Sequence, residues 1–174
     1  MSETILVTGA SAGFGQAICR RLVADGYRVI GSARRIEKLQ ALQEELGEAF
    51  YPLQMDVTDL SQVDRELASL PKAWERVDVL VNNAGLALGL APAYEAEVAD
   101  WLTMIQTNII GLSYLTRKIL PQMVERNDGY IINLGSTAGT VPYPGANVYG
   151  ASKAFVKQFS LNLRADLAGK KIRV

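Results

Sequence analysis

The chain has 174 residues, 49% hydrophobic and 21% charged, which suits one folded domain and excludes a disordered segment. Its 18 basic and 18 acidic residues cancel, so no charge excess draws it to nucleic acid or to an anionic membrane surface. Histidine is absent and Cys19 is the lone cysteine, which excludes histidine-dependent nucleophiles, argues against a Cys/His zinc site and fits a reducing, cytoplasmic setting.

Met1-Ser2-Glu3-Thr4 runs straight into Ile5-Leu6-Val7, with no basic start or long apolar stretch to read as a targeting segment. Ile5–Thr8 is a short apolar run ending at a glycine and reads as a fully buried strand. A helix follows over about Phe14–Asp25, with Gly26 as its stop. Tyr27–Ser32 reads as a strand, Ile36–Leu46 as a helix ended by Gly47, and Ala49–Met55 as a third strand. Leu60–Leu70 is predicted helical before Pro71, and Val77–Val81 is a fourth strand. A long helix is expected over Val98–Arg126, then a strand over Tyr130–Leu134 and a helix over Val148–Ala168 stopped by Gly169. Ile172–Val174 opens a sixth strand, so the natural polypeptide is expected to continue, or another chain to cover this edge.

Short apolar strands alternating with amphipathic helices imply a parallel sheet covered on both faces, and one domain over residues 1–174. Ligands of such sheets bind beyond the carboxyl ends of the strands. Seven of the 15 glycines fall in two of those loops. Gly9, Gly13 and Gly15 follow the first strand; Gly135, Gly139, Gly145 and Gly150 follow the fifth.

The first loop reads Thr8-Gly9-Ala10-Ser11-Ala12-Gly13-Phe14-Gly15. Its glycines permit a tight turn and a close approach to a pyrophosphate, which the following helix start would attract. The loop after the second strand reads Ser32-Ala33-Arg34-Arg35, with no acid before Glu37. Two guanidiniums there suit a 2′-phosphate and point to NADP rather than NAD. Asp56-Val57 closes the third strand, where the carboxylate either accepts from an adenine amino group or caps a turn. Asn82-Asn83-Ala84-Gly85 closes the fourth; its small residues let the chain pass adenine and ribose, and its amides can pin neighbouring strands.

The long helix carries apolar Val98, Trp101, Ile105, Leu112, Leu115 and Ile119, and this step pattern calls for an apolar residue where Asn108 stands. A buried amide must find partners, so Asn108 is expected to hold a carbonyl or a water inside the helix. Ser136 sits at the carboxyl end of the fifth strand, in the ligand crevice or in a turn. Tyr149 and Lys153 lie one turn apart, off a core stripe of Val148, Ala151, Phe155, Phe159 and Leu163. A neighbouring ammonium favours a phenolate and makes proton transfer feasible without histidine.

Thr8–Gly15, Asn82–Gly85, Asn108, Ser136, Tyr149 and Lys153, in this order and on these elements, resemble the short-chain dehydrogenase/reductase family. The resemblance implies a Rossmann-type, doubly wound parallel sheet of strand order 3-2-1-4-5-6. Within the family, Asn83–Gly89 and Gly135–Leu167 resemble the NADP-dependent 3-hydroxy acid dehydrogenases, which act on serine, allo-threonine and related acids or reduce malonic semialdehyde. By that resemblance Tyr149 carries the hydroxyl proton and Lys153 holds the nicotinamide ribose. Ser136 bonds the substrate oxygen and Asn108 positions a water. Gly9–Gly15, Arg34, Arg35, Asp56, Val57, Asn83, Ala84 and Gly85, with Tyr149 and Lys153, line the NADP site. Family members continue past Val174 into a substrate lid and a seventh strand, whose subunit contacts are absent from these residues, while contacts through the long helix and the Tyr149 helix remain open, so a homo-oligomer is expected. Other readings are a catalytically silent nucleotide-binding or partner-binding fragment, a reductase of another small carbonyl compound, and a methyltransferase-like fold.

Overall fold

The computed structural model describes residues 3–174; the leading Met1 and Ser2 of the expected non-targeting start lie outside them. Six strands form one parallel sheet: β1 (Thr4–Thr8), β2 (Arg28–Ala33), β3 (Phe50–Gln54), β4 (Val79–Asn82), β5 (Gly129–Asn133) and β6 (Ile172–Arg173). Their order is β3-β2-β1-β4-β5-β6 and all five pairings are parallel, as the resemblance implied. Six helices connect them: α1 (Gly13–Ala24), α2 (Ile36–Leu46), α3 (Leu60–Ala68), α4 (Val98–Ile105), α5 (Leu112–Arg126) and α6 (Asn147–Asp166). Among the described residues no helix is long and apolar enough to cross a membrane.

The strands read as continuous apolar runs because both faces are covered. Successive side chains point to opposite faces. Ile5, Val7, Val29 and Val79 pack with Cys19, Leu39 and Leu42 on one side. Leu6, Ile30, Leu80 and Ile131 pack with Val63, Leu115, Ile119 and Met123 on the other. Burial of the Cys19 thiol pushes its pKa up to about 12, as befits an inert core residue.

Several boundaries differ from expectation for visible reasons. The fourth strand does not begin at Val77, because the Val77 amide donates to Gln122 Oε1 and its carbonyl accepts from Arg126. The ladder takes over at Asp78, whose amide donates to the Thr4 carbonyl.

The expected helix over Val98–Arg126 is three pieces, with a wider π-helical turn at Gln106–Gly111 between α4 and α5. Asn108 sits in that turn, 1% exposed. Gly111 packs against the Val57 carbonyl, where an added Cβ would stand only 2.7 Å from the oxygen. Val98, expected in the core stripe, is instead 61% exposed, and Met104 is fully buried.

The stripe expected on α6 is also out of phase. Ala151 is exposed, and Val148, Phe155 and Phe159 are half-buried. The two phenylalanines stack on each other with centroids 5.5 Å apart. The buried face is Gly150, Ser152, Lys153, Val156 and Leu163. Polar side chains turn inward there because each meets a partner. Asn108 Nδ2 donates to Ser152 Oγ, and Lys153 Nζ donates to the Leu134 carbonyl. Buried polar groups are tolerated when they are bonded.

Candidate active site

The loops at the carboxyl ends of β1 to β5 enclose one cleft of about 550 Å³. Its floor is tight. Gly9 has φ +69°, and its Cα faces the chain at Ala84 so closely that a Cβ would stand 3.1 Å from the Ala84 Cα. A Cβ on Gly15 would overlap the Gly9 carbonyl oxygen. Between these glycines Ala12 is extended, and no side chain caps α1. The first amides of α1 therefore keep no intrahelical or side-chain partner, and the positive end of the helix dipole faces the cleft.

Thr8 fixes the opposite wall. Its Oγ1 accepts from the Asn83 amide at 3.0 Å and the Ala84 amide at 2.8 Å. Asn83 Nδ2 donates to the Thr8 carbonyl at 2.7 Å, so this amide pins β4 to β1 as its type allows. Asn82 does the same on the other side, donating to Asn133 Oδ1 at 2.8 Å and Thr116 Oγ1 at 3.0 Å.

Arg35 reaches back to the β1–α1 loop and donates from Nε and Nη2 to Ser11 Oγ, at 3.3 and 2.9 Å. Arg34 is largely exposed at the cleft mouth, 4.0 Å from Asp56 Oδ2. Asp56 Oδ1 accepts from the amide and hydroxyl of Thr58, at 2.9 and 2.8 Å. Asp56 thus holds its turn with one oxygen and lines the cleft.

At the other end of the cleft stand Tyr149 and Lys153. Lys153 Nζ lies 6.0 Å from the Tyr149 ring centroid and donates to the Leu134 carbonyl at 2.8 Å. Burial pushes the pKa of this ammonium below the usual lysine range. Gly139 lets the β5–α6 loop lie against the Lys153 carbonyl, where a Cβ would sit 2.8 Å from the oxygen.

Most of the residues singled out in the sequence meet in this cleft: Gly9, Ser11–Gly15, Arg34, Arg35, Asp56, Val57, Asn83–Gly85, Tyr149 and Lys153. Ala10 does not form its wall; it is fully buried beneath the loop, and its amide donates to the Ser32 carbonyl. Ser136 is exposed and outside the wall, with Oγ accepting from the Ala138 amide at 3.2 Å as the cap of a short 3₁₀ turn. Asn108 lies behind the wall. Its amide holds no carbonyl of its own helix and instead grips Leu86 across the gap, accepting from the Leu86 amide at 3.0 Å and donating to the Leu86 carbonyl at 2.9 Å.

Ser32 was not singled out. It borders the cleft, and its hydroxyl is fully buried with no hydrogen-bond partner among the described residues. The parallel register Thr8↔Ser32, two hydroxyl residues side by side at strand ends, is the signal that finds it. An uncapped helix start, a glycine floor, two guanidiniums and an orphaned hydroxyl form a wall that fits a phosphorylated dinucleotide.

Comparison with known proteins places this geometry. The chain is 61% identical over 170 residues to the NADP-dependent 3-hydroxy acid dehydrogenase YdfG of Salmonella typhi, covering 98% of this chain and 68% of that protein. It is 52% identical to the serine 3-dehydrogenase of Agrobacterium fabrum, over all of this chain and 70% of that one. The structure of the closed form of serine dehydrogenase complexed with NADP+ superimposes with a TM-score of 0.97 at 59% identity, covering 98% of this chain and 69% of that chain. The short chain dehydrogenase profile matches residues 3–174, every residue the structure describes, and the chain belongs to that family.

Proposed function

We propose that residues 1–174 form one NADP-binding domain of an oxidoreductase that interconverts a small 3-hydroxy acid and its 3-oxo counterpart, of the serine, allo-threonine or malonic semialdehyde type. One observation carries the reading: a single cleft joins an uncapped helix start and two arginines at one end to the Tyr149–Lys153 pair at the other. The names of the similar proteins support NADP and the substrate class.

Arg34 and Arg35 hold the 2′-phosphate, with Ser11 steadying the Arg35 guanidinium. The first amides of α1 take the diphosphate. Asp56 and Val57 meet the adenine, and Asn83, Ala84 and Gly85 face the ribose. When bound, NADPH supplies the hydride and NADP+ accepts it. Tyr149 takes the substrate hydroxyl proton in oxidation and returns it in reduction, and Lys153 holds the nicotinamide ribose. Ser136 keeps its proton free while accepting from Ala138, so it can donate to the substrate oxygen. Asn108 sets the Leu86 wall and lies where a relay water would sit.

NADPH consumption with malonic semialdehyde and with small ketones, for the wild type and for Tyr149→Phe, tests the reading. We expect turnover with the 3-oxo acid, lost in Tyr149→Phe while NADPH binding survives. Turnover only with ketones favours a reductase of another small carbonyl compound. NADPH binding without turnover favours a silent nucleotide-binding module. We also propose a dimer or tetramer. The half-buried Phe155 and Phe159 and the exposed Val98 and Leu102 support it, and sedimentation tests it.

A further inference from the structure

Ser152 lies between Tyr149 and Lys153 in the chain and is fully buried. Its Oγ donates to the Tyr149 carbonyl at 2.7 Å and accepts from Asn108 Nδ2 at 3.0 Å. A serine hydroxyl has one proton. With that proton on the Tyr149 carbonyl, Ser152 meets Asn108 only as an acceptor. Asn108 must then present its NH₂ group to α6, which leaves Oδ1 for the Leu86 amide. The second Nδ2 proton goes to the Leu86 carbonyl. Four hydrogen bonds thus join the cleft wall at Leu86, the π turn at Asn108 and the helical turn that carries Tyr149.

We propose that Ser152 is a positioning residue. It fixes the orientation of the Asn108 amide, and through it the placement of the Leu86 wall against the Tyr149–Lys153 face. It touches neither cofactor nor substrate. The proposal rests on the oxidoreductase reading above for its effect on turnover, but not for its effect on Leu86. A buried helical serine that merely bonds the carbonyl three residues back is a common feature and needs nothing from Asn108. The bond from Asn108 is what separates the two roles.

The test uses the full chain and the variants Ser152→Ala and Asn108→Ala, singly and together. Amide hydrogen exchange of Leu86 is read by NMR without ligand, with the buried Ile131 amide as an internal reference. Steady-state kinetics with NADPH and malonic semialdehyde are read beside it. Removing the acceptor leaves a buried N–H proton unpaired, so Leu86 exchange should rise roughly tenfold in Ser152→Ala while Ile131 is unchanged. Turnover should fall roughly tenfold with KM for NADPH within about twofold. In the Asn108→Ala background, Ser152→Ala should add nothing to Leu86 exchange.

Unchanged Leu86 exchange in folded Ser152→Ala overturns the proposal, and so does an undiminished effect in the Asn108→Ala background. Faster exchange with unchanged turnover overturns its catalytic half. Faster exchange in a protein whose wild type shows no turnover sustains the link from Ser152 to Leu86 and overturns the oxidoreductase reading. Should Ser152→Ala fail to fold, Ser152→Cys, a weaker acceptor of similar shape, carries the same readouts.

Discussion

One hydroxyl, that of Thr8, holds the end of β4 in place. Thr8→Val keeps the shape and removes the acceptor. The Ala84 amide, 2.8 Å from the Thr8 oxygen, loses its partner, and the Asn83 amide, 3.0 Å from the same oxygen, keeps only its bond to the Val81 carbonyl. An unsatisfied buried N–H costs about 1–3 kcal/mol. Asn83 and Ala84 are half-buried on the cleft wall, where water can reach part of the gap. A value inside that range, about 2 kcal/mol, is therefore expected rather than its upper end, a large share of the usual stability of about 5–15 kcal/mol for a folded domain. Thr8→Ser keeps the oxygen and loses one methyl group, costing about 1 kcal/mol. Urea unfolding followed by circular dichroism compares the three proteins. A fluorescence titration with NADPH reports whether the cleft floor survives. The valine variant should be the least stable and bind most weakly. A valine variant within about 0.5 kcal/mol of the wild type, with the serine variant worse, refutes the reasoning.

Arg35→Ala should weaken NADPH binding about tenfold or more and change NADH binding far less, because in the proposed mode the part of the cofactor that meets the guanidinium is the 2′-phosphate, which NADH lacks; calorimetric titrations at low and high salt should show the loss shrinking as salt rises. Ser32→Ala removes a buried hydroxyl that has no partner, so the unliganded protein should gain about 1 kcal/mol, read as a higher melting temperature in a thermal-shift assay. The Asp64 carboxyl is held below the usual carboxylate range, first by the Lys118 ammonium 2.8 Å away and then by the Tyr114 hydroxyl. A group lowered on folding contributes stability that is present above its unfolded value, about 4, and is lost as pH falls through the lower folded value. Asp64→Asn should therefore be less stable than the wild type at about pH 7, with the gap narrowing as pH falls below about 4, as urea titrations across that range would show.

Much of this molecule is legible in its sequence, because parallel strands covered on both faces announce themselves as short apolar runs and glycines mark the loops where backbone must come close. Gly9, Gly15 and Gly139 mark such places. The interrupted stripe at Asn108 likewise signals a buried amide, though not the wide turn that houses it. What escapes is polar burial. Periodicity reads apolar residues as the inner face, so on α6 it selects Phe155 and Phe159. The inner face is in fact Gly150, Ser152, Lys153, Val156 and Leu163, and its two polar members, Ser152 and Lys153, are each satisfied by a partner far away in the chain. Such pairings depend on which strand ends lie side by side. The Arg35–Ser11 bond and the unpartnered Ser32 escape for the same reason.

The wide turn at Gln106–Gly111 also bears on where the length of the chain can vary. In a regular helix each residue rotates the chain by about 100°. The slack in this turn takes up about one residue more than a regular turn holds, with Met104, Asn108, Leu115, Ile119 and Met123 all buried on either side of it. Removing one residue from the wide turn tightens it to α geometry and leaves α4 and α5 in place, whereas a residue lost from α5 ahead of Ile119 would turn everything before it by about 100° relative to Ile119 and Met123.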